Sequence, residues 1–545
     1  MPTTSCVATK SHRFAMCRRM KSATKDLKVD DRETFSTAQR GTTYSHIIKS
    51  TSLIGGSQAV CFLIGMLRNK VAALLLGPSG VGLVSLYESI LGMVGSVTGL
   101  GVGSSAVREV AIAYGANDPI REATVVTILK RICWFTGLLG LGAMFGAAPW
   151  LSRVTFGNAD HTVALRVLAL TLLLQSLSNG QLTVLRGRRR LQDMARLQIY
   201  VAVTGLIASA VIFGLLKNDG IPTYLITIAI ISLFFSCRVA RRLQIPIAIV
   251  DFHTTWKRGI QMVKLGVAFV TGAICSFMIQ WITKKWILEV LDMDAAGLYH
   301  AAWTLSGVFT GFVLSAMGMD FYPRLAAVAR DNLEVNRLVN EQTEIGLLLS
   351  IPGIVAMSSF SCWILPALYS DSFAGAATLL PWLSLGLLGK VISWPLGFIQ
   401  LAKGAARWFI LTEVVTALLH MSLLCYGLRN LGLLGVALAF PVLYIVYTAG
   451  MLWVAQRLSG FRRSRSVMTL CAAGGLLAVA SLGISMMSAT LTRLALGIVI
   501  TSVAALLCAC GLLQRLGAGH SLSICLNRFA LVRWFVKTIR TDYSE

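Results

Sequence analysis

The chain has 545 residues, 55% hydrophobic and only 13% charged, with 49 Lys and Arg against 24 Asp and Glu and a net charge of +25. At a mean hydropathy of +0.71 most positions have no aqueous surface to occupy. A soluble fold is excluded, and an all-α polytopic membrane protein is expected, because a lipid-embedded backbone must satisfy its own hydrogen bonds.

Taken from the start, residues 1–43 read as a disordered, basic cytoplasmic tail with no apolar core or small-residue cleavage site of a signal peptide. Met16 and Met20 are alternative starts. A transit-peptide reading of the Arg/Ser/Thr bias is opposed by Asp26, Asp30, Asp31 and Glu33. Beyond the tail, about 14 apolar stretches follow, each near the roughly 20 helical residues that cross a hydrocarbon layer. They lie near 47–67, 83–106, 128–150, 162–182, 197–216, 222–237, 261–282, 298–318, 345–365, 378–402, 408–427, 432–454, 467–488 and 493–513.

Basic residues fall on alternate links. Arg68, Lys70, Arg153, Lys217, Lys284, Lys285, Arg429 and Arg493 occupy one side, Lys49, Arg166 and Lys390 lie inside spans, and the other 38 share the side of the N-terminus. That asymmetry makes both termini cytoplasmic, with 516–545 as a C-terminal tail. Runs such as Arg186-Gly187-Arg188-Arg189-Arg190 and Arg462-Arg463-Ser464-Arg465 sit at cytoplasmic helix ends, where topology and anionic headgroups account for them. No nucleic-acid partner is expected.

Twelve scattered cysteines without a Cys-x-x-Cys pair read as buried thiols, so no metal or cofactor is expected. No Gly-x-x-x-x-Gly-Lys-Ser/Thr loop exists for ATP, and Gly99-Leu100-Gly101-Val102-Gly103 sits in an apolar stretch where glycines serve helix packing. The links are too short for a catalytic domain, which argues against an enzyme.

Sliding the chain by 215 residues lays Gly82, Leu83, Gly92, Gly103 and Ala111 on Gly297, Leu298, Gly307, Gly318 and Ala326, and Lys49 on Lys264. An even number of spans separates the copies, so they enter the membrane in the same direction as parallel repeats. The expected architecture is two six-helix lobes, 44–243 and 244–460, facing each other across a cavity, with 461–515 as an appended helix pair.

Lys390 is the most informative intramembrane residue. It shares a helical stripe with Gly386, Ser393, Gly397 and Gln400, and a mid-span cation costs about 2.5–3.5 kcal/mol on insertion scales unless a partner or a wet cavity offsets it. Two readings stay open: an anion site, or a buried pair with Glu413 or Glu88. On the span near 298–318, His300, Thr304, Gly307, Gly311, Ser315 and Gly318 form another stripe that either packs or lines a cavity. Gln58, Glu88, Gln175, Asn179, Gln280 and Glu413 either bridge helices or touch a ligand. Lys49, Lys264 and Arg68 are interface anchors or substrate-steering cations, and Arg166 is equally ambiguous.

Particular residues carry a family resemblance. Lys70-Val-Ala-Ala-Leu-Leu-Leu-Gly77-Pro78-Ser79-Gly80-Val-Gly82-Leu, Gly318-Met-Asp320-Phe321-Tyr322-Pro323-Arg324-Leu325 and Asn336-Arg-Leu-Val-Asn-Glu341-Gln342 resemble the polysaccharide-transporter branch of the multidrug/oligosaccharidyl-lipid/polysaccharide exporter superfamily, over about 44–460. Within it the likeness is to O-antigen and exopolysaccharide repeat-unit flippases. The resemblance implies a multi-pass bacterial inner-membrane protein that moves a polyprenyl-diphosphate-linked oligosaccharide outward by alternating access. It also implies a polysaccharide polymerase and a chain-length regulator as partners; a monomer is the default.

Arg108 and Glu109 occupy a cytoplasmic position corresponding to that of Asp320, Tyr322 and Arg324, and form either a gate or a solvated cap after Pro323. Glu88 and Glu413 are the candidate carriers if an ion is coupled. The competing reading within the same superfamily is a cation-coupled multidrug exporter, which would place carboxylates deep in the cavity where this chain has Lys390.

Overall fold

The computed structural model describes residues 57–116, 118–246, 248–488 and 490–515, and among these no strand occurs. The predicted tails at 1–43 and 516–545, the first part of the stretch at 47–67, and Lys49 lie outside the described residues. Helix α1 runs Ser57–Gly99, followed by α2 (Val102–Gly115), α3 (Pro119–Phe156), α4 (Thr162–Gly187), α5 (Leu191–Leu216), α6 (Gly220–Arg241) and α7 (Phe252–Val290). After these come α8 (Met293–Ala327), α9 (Asn332–Ser359), α10 (Ser361–Leu368), α11 (Leu380–Ala402), α12 (Ala406–Ser459), α13 (Arg465–Ser485) and α14 (Thr490–Arg515).

Eight helical stretches are long and apolar enough to cross a membrane, or nine when α9 and α10, bent by 83°, count as one. Three of the eight contain a backbone break. In α1 it is Gly77 at φ 68, followed by Pro78, and in α12 it is Gly432 at φ 56, ψ −141. Between α5 and α6 it is Lys217 at φ 48. A residue at positive φ cannot continue a right-handed helix, and only glycine adopts that conformation at little cost.

Polar caps set several helix starts. Asp118 accepts from the Ile120 and Arg121 amides to open α3, with Pro119 in the first turn, where a missing N–H costs nothing. Asp251, Asp292 and Asp331 cap α7, α8 and α9 in the same way.

The boundaries depart from hydropathy in three places. The stretch 83–106 is divided, because Leu100 (φ 49) and Gly101 (φ 66) end α1 before α2 begins. The glycines there serve a bend, and Gly99 has open space where a side chain would be. The stretch 345–365 is broken between Ser359 and Ser361. The stretch 261–282 extends to Val290, so Lys284 and Lys285, expected in an outer link, lie on α7, and Lys284 is only 3% exposed.

The apolar cores divide between two sets of helices. One group of buried residues, including Ile128, Leu129, Val184 and Leu185, joins α2–α6, and another, around Tyr87, Met144, Leu168 and Phe213, adds α1. A further core around Leu305, Leu347, Leu383 and Phe440 joins α8–α14. Helix α7 packs on both sides: Trp281 belongs to the first set and donates to Thr155 Oγ1 at 3.1 Å, while Ile287 packs with Tyr299 and Leu424 of α8 and α12. Outside the bundle ends, rings such as Leu215, Phe234 and Trp150 are exposed, as a lipid-facing surface requires.

Candidate functional site

Two polar groups stand out within the bundle. The first forms around Arg68, just before the Gly77 bend of α1. Arg68 lies beside Tyr224 of α6, Glu88 of the second half of α1, and Tyr369 in the turn after α10. It lines two adjoining hollows. The smaller, about 50 Å³, is closed by Phe213, His300 and Tyr369. The larger, about 340 Å³, continues along Gln58, Cys61 and Gly65 of α1 and Thr304 and Val308 of α8.

His300 Nδ1 is shut off from solvent without a hydrogen-bond partner, although Arg68 and Lys284 both bear on it electrostatically. An unsatisfied buried polar atom costs about 1–3 kcal/mol, which makes His300 a candidate ligand contact. Lys284 was not singled out by the sequence, because a lysine near the end of a hydropathy window reads as a link residue. Its Nζ donates to Ser85 O at 3.0 Å and to Ser89 Oγ at 2.7 Å, both neutral acceptors, with the Glu88 charge nearby. Two cations thus share one carboxylate, and this excess of positive charge is worth far more in a low-dielectric site than in water.

Two contacts shut the Gly77 end of this site. Lys70 Nζ donates to Ala367 O at 2.6 Å, and Asn69 Nδ2 to Tyr369 Oη at 3.4 Å. Gly82 and Gly297, matched by the internal repeat, pack against each other. A Cβ on Gly82 would lie 2.5 Å from Met293 O and 3.0 Å from Gly297 N, and one on Gly297 would lie 1.9 Å from Pro78 O.

Lys390 belongs to the second group. It lines a cavity of about 220 Å³ with Ser393, Gln400, Thr412, Glu413 and Tyr447, walled by α11 and α12. Among the described residues neither the Lys390 ammonium nor the Glu413 carboxylate has a hydrogen bond or ion pair. Gln400 instead donates to Met451 Sδ at 3.5 Å and accepts from Thr412 Oγ1 at 3.2 Å. The Lys390 cavity therefore lies within the second set of helices, whereas the Arg68 hollows lie between the two sets.

The remaining predicted residues scatter. Gln58 Nε2 donates to Gln198 Oε1 at 3.0 Å while lining the larger hollow. Gln280 lines neither group. Tyr322 meets Phe398 with ring centroids 5.9 Å apart, at the edge of the Lys390 cavity. Arg108 and Arg324 are exposed. Lys264 and Asp320 lie on α7 and α8. On α8, Gly307 and Gly311 have open space where a side chain would be, whereas Gly318 packs on Trp394, so that stripe serves both cavity and packing. Among the described residues no cluster suited to a metal ion occurs.

A family described as "polysaccharide biosynthesis protein" matches residues 71–378. The chain is 24% identical over 409 residues to the lipid III flippase of Escherichia coli strain K12, covering 74% of this chain and 96% of that one. It is 22% identical over 391 residues to a putative O-antigen transporter of Shigella flexneri, covering 70% and 91%. Its fold is shared with the lipid II flippase MurJ in an inward closed conformation, at a TM-score of 0.64, 14% identity and coverage of 85% and 99%. It is also shared with an inward-facing multidrug transporter of the MATE family, at 0.62, 15% identity and coverage of 74% and 95%.

Proposed function

This chain belongs to the polysaccharide biosynthesis protein family, and from that premise we propose that it is a flippase for a polyprenyl-diphosphate-linked oligosaccharide, such as an O-antigen or exopolysaccharide repeat unit. The observation that carries this reading is the placing of Arg68, with Lys284 close by, in hollows walled by both sets of helices. A diphosphate head needs cations in a sheltered polar space, its sugars need hydroxyl and amide partners, and the polyprenyl tail remains in lipid.

The proposed architecture has fourteen spans. Each of the three broken stretches crosses twice, and α3, α4, α7, α8, the bent α9–α10 pair, α11, α13 and α14 supply the other eight. Spans one to six and seven to twelve form two parallel lobes with the last two appended, both termini are cytoplasmic, and the membrane is the bacterial inner membrane. In this orientation the Gly82–Gly297 contact and the Lys70–Ala367 bond close the periplasmic side, so the chain is poised to take substrate from the cytoplasm. Transport is the opening of that closure as the cytoplasmic ends, near Arg108, Asp320, Tyr322 and Arg324, come together.

A diphosphate carrying about two negative charges is driven outward by about 2.3 kcal/mol per charge per 100 mV if no ion accompanies it. The Lys390–Glu413 cavity lies apart from the substrate path in this scheme and serves as the coupling site if an ion is exchanged. A multidrug exporter of the same fold is the weaker reading, because the Arg68 site carries two cations to one carboxylate. A monomer, with a polymerase and a chain-length regulator as downstream partners, completes the proposal. Deletion of the chromosomal gene tests it: loss of a surface glycan with accumulation of its lipid-linked unit on the cytoplasmic side is expected, and unchanged glycans would refute it.

A further inference from the structure

A second basic feature lies away from both polar groups. On the flank formed by α3, α4 and α6, two adjoining hollows of about 400 and 540 Å³ share Cys237 and Arg241. Lys130 of α3 and Arg238, Arg241 and Arg242 at the end of α6 line them, and no carboxylate does. All four cations are exposed, and none has an ion pair or side-chain hydrogen bond among the described residues.

That lack of partners is unusual at these helix ends. Arg188, after α4, is held by both carboxylate oxygens of Glu122, and Arg131, next to Lys130, donates to Val250 O and Thr255 Oγ1. The charges of Lys130 and Arg241, from different helices, instead converge on Cys237, where the two hollows meet.

From Arg241 back to Ile230 is about 16 Å along α6. Over that length the wall changes from cations to Leu174, Ile230, Leu233 and Phe234, of which Ile230 and Phe234 are 51% and 58% exposed. A cationic end continuing into an exposed apolar trough matches an anionic head joined to an acyl chain. Free phosphate would use only the first half, and a zwitterionic lipid only the second.

We propose that this flank is a binding site for an anionic phospholipid, its phosphate held by Lys130 and Arg241 and its chain lying along Leu174 and Phe234. Basic pockets between membrane helices recognise such headgroups by the same chemistry. The site is independent of whatever the central hollows transport.

The test is native mass spectrometry of the full chain in detergent, offered equal amounts of phosphatidylglycerol and phosphatidylcholine. Wild type is expected to retain phosphatidylglycerol at least tenfold over phosphatidylcholine, and the K130Q/R241Q variant to lose that preference. The charge-conserving K130R/R241K variant should keep it, as should K257Q, which removes an exposed cation elsewhere. An undiminished preference in K130Q/R241Q, loss of preference in K130R/R241K, or displacement of the phospholipid by equimolar polyprenyl diphosphate would each overturn the proposal.

Discussion

Gly82 and Gly297, 215 residues apart in sequence, press their backbones together where the two sets of helices meet. They are the same position of the internal repeat, so the contact lies where a two-fold axis between parallel repeats would pass. Only residues without a Cβ fit, since a methyl group on Gly297 would sit 1.9 Å from Pro78 O.

Gly297→Ala should therefore hold the periplasmic side open. Overpacking of this kind costs about 1–3 kcal/mol, enough to shift a balanced equilibrium by roughly tenfold. An impermeant maleimide applied from outside should label an Asn69→Cys variant several-fold faster when Gly297→Ala is also present. Equal labelling rates would show that the contact does not close the site.

Glu122 is 6% exposed and binds Arg188 through both oxygens, tying the start of α3 to the end of α4. Removing one partner of a buried pair leaves the other charge uncompensated, at about 3–5 kcal/mol. Glu122→Gln is expected to lower the melting temperature in detergent clearly, and Glu122→Gln with Arg188→Met to recover part of the loss. A double variant no more stable than the single one would contradict a buried pair.

Lys390 and Glu413 share a cavity without pairing, so each should tolerate loss of the other's charge structurally. Lys390→Gln and Glu413→Gln are predicted to insert at wild-type abundance. If the cavity couples an ion, Glu413→Gln removes the dependence of transport on an imposed proton or sodium gradient while leaving transport driven by membrane potential. A variant with both dependences intact would remove Glu413 from coupling.

His161, in the turn between α3 and α4, stacks on Phe156 at 3.9 Å and has Nδ1 2.8 Å from Tyr87 Oη. Burial pushes its pKa below the usual histidine value, with Asp160 opposing. The folded state then binds fewer protons than the unfolded one. The stability it contributes is present above the unfolded pKa of about 6.5 and is lost as pH falls below it. Thermal stability should drop more between pH 7 and 5 in wild type than in His161→Gln; identical profiles would contradict this.

Much of the fold was legible because lipid enforces one rule: every long apolar run becomes a helix. Breaks were less legible. Gly77 and Gly432 punctuate helices at positions that hydropathy also marks, but Leu100 adopts positive φ inside an apolar run, and Ser359 and Ser361 flank a sharp bend that no proline announces. For the site, Gln58, Arg68, Glu88 and His300 were individually visible as polar groups in apolar surroundings, and the structure gathers them around two adjoining hollows. Which ones converge depended on tertiary packing, and so did the distance between Lys390 and them. Lys284 was hidden because its acceptors, Ser85 and Ser89, lie on another helix.

The central claim is that Arg68 holds the diphosphate of a lipid-linked oligosaccharide between the two helix sets. Its direct test is reconstitution in liposomes, following translocation of a polyprenyl-diphosphate-linked oligosaccharide by its accessibility to an added glycosidase. Wild type should translocate, Arg68→Gln should lose at least tenfold in rate at equal protein content, and Arg68→Lys should recover part of it. Wild-type rates in Arg68→Gln, or the same rates for a lipid carrying no phosphate, would contradict the account.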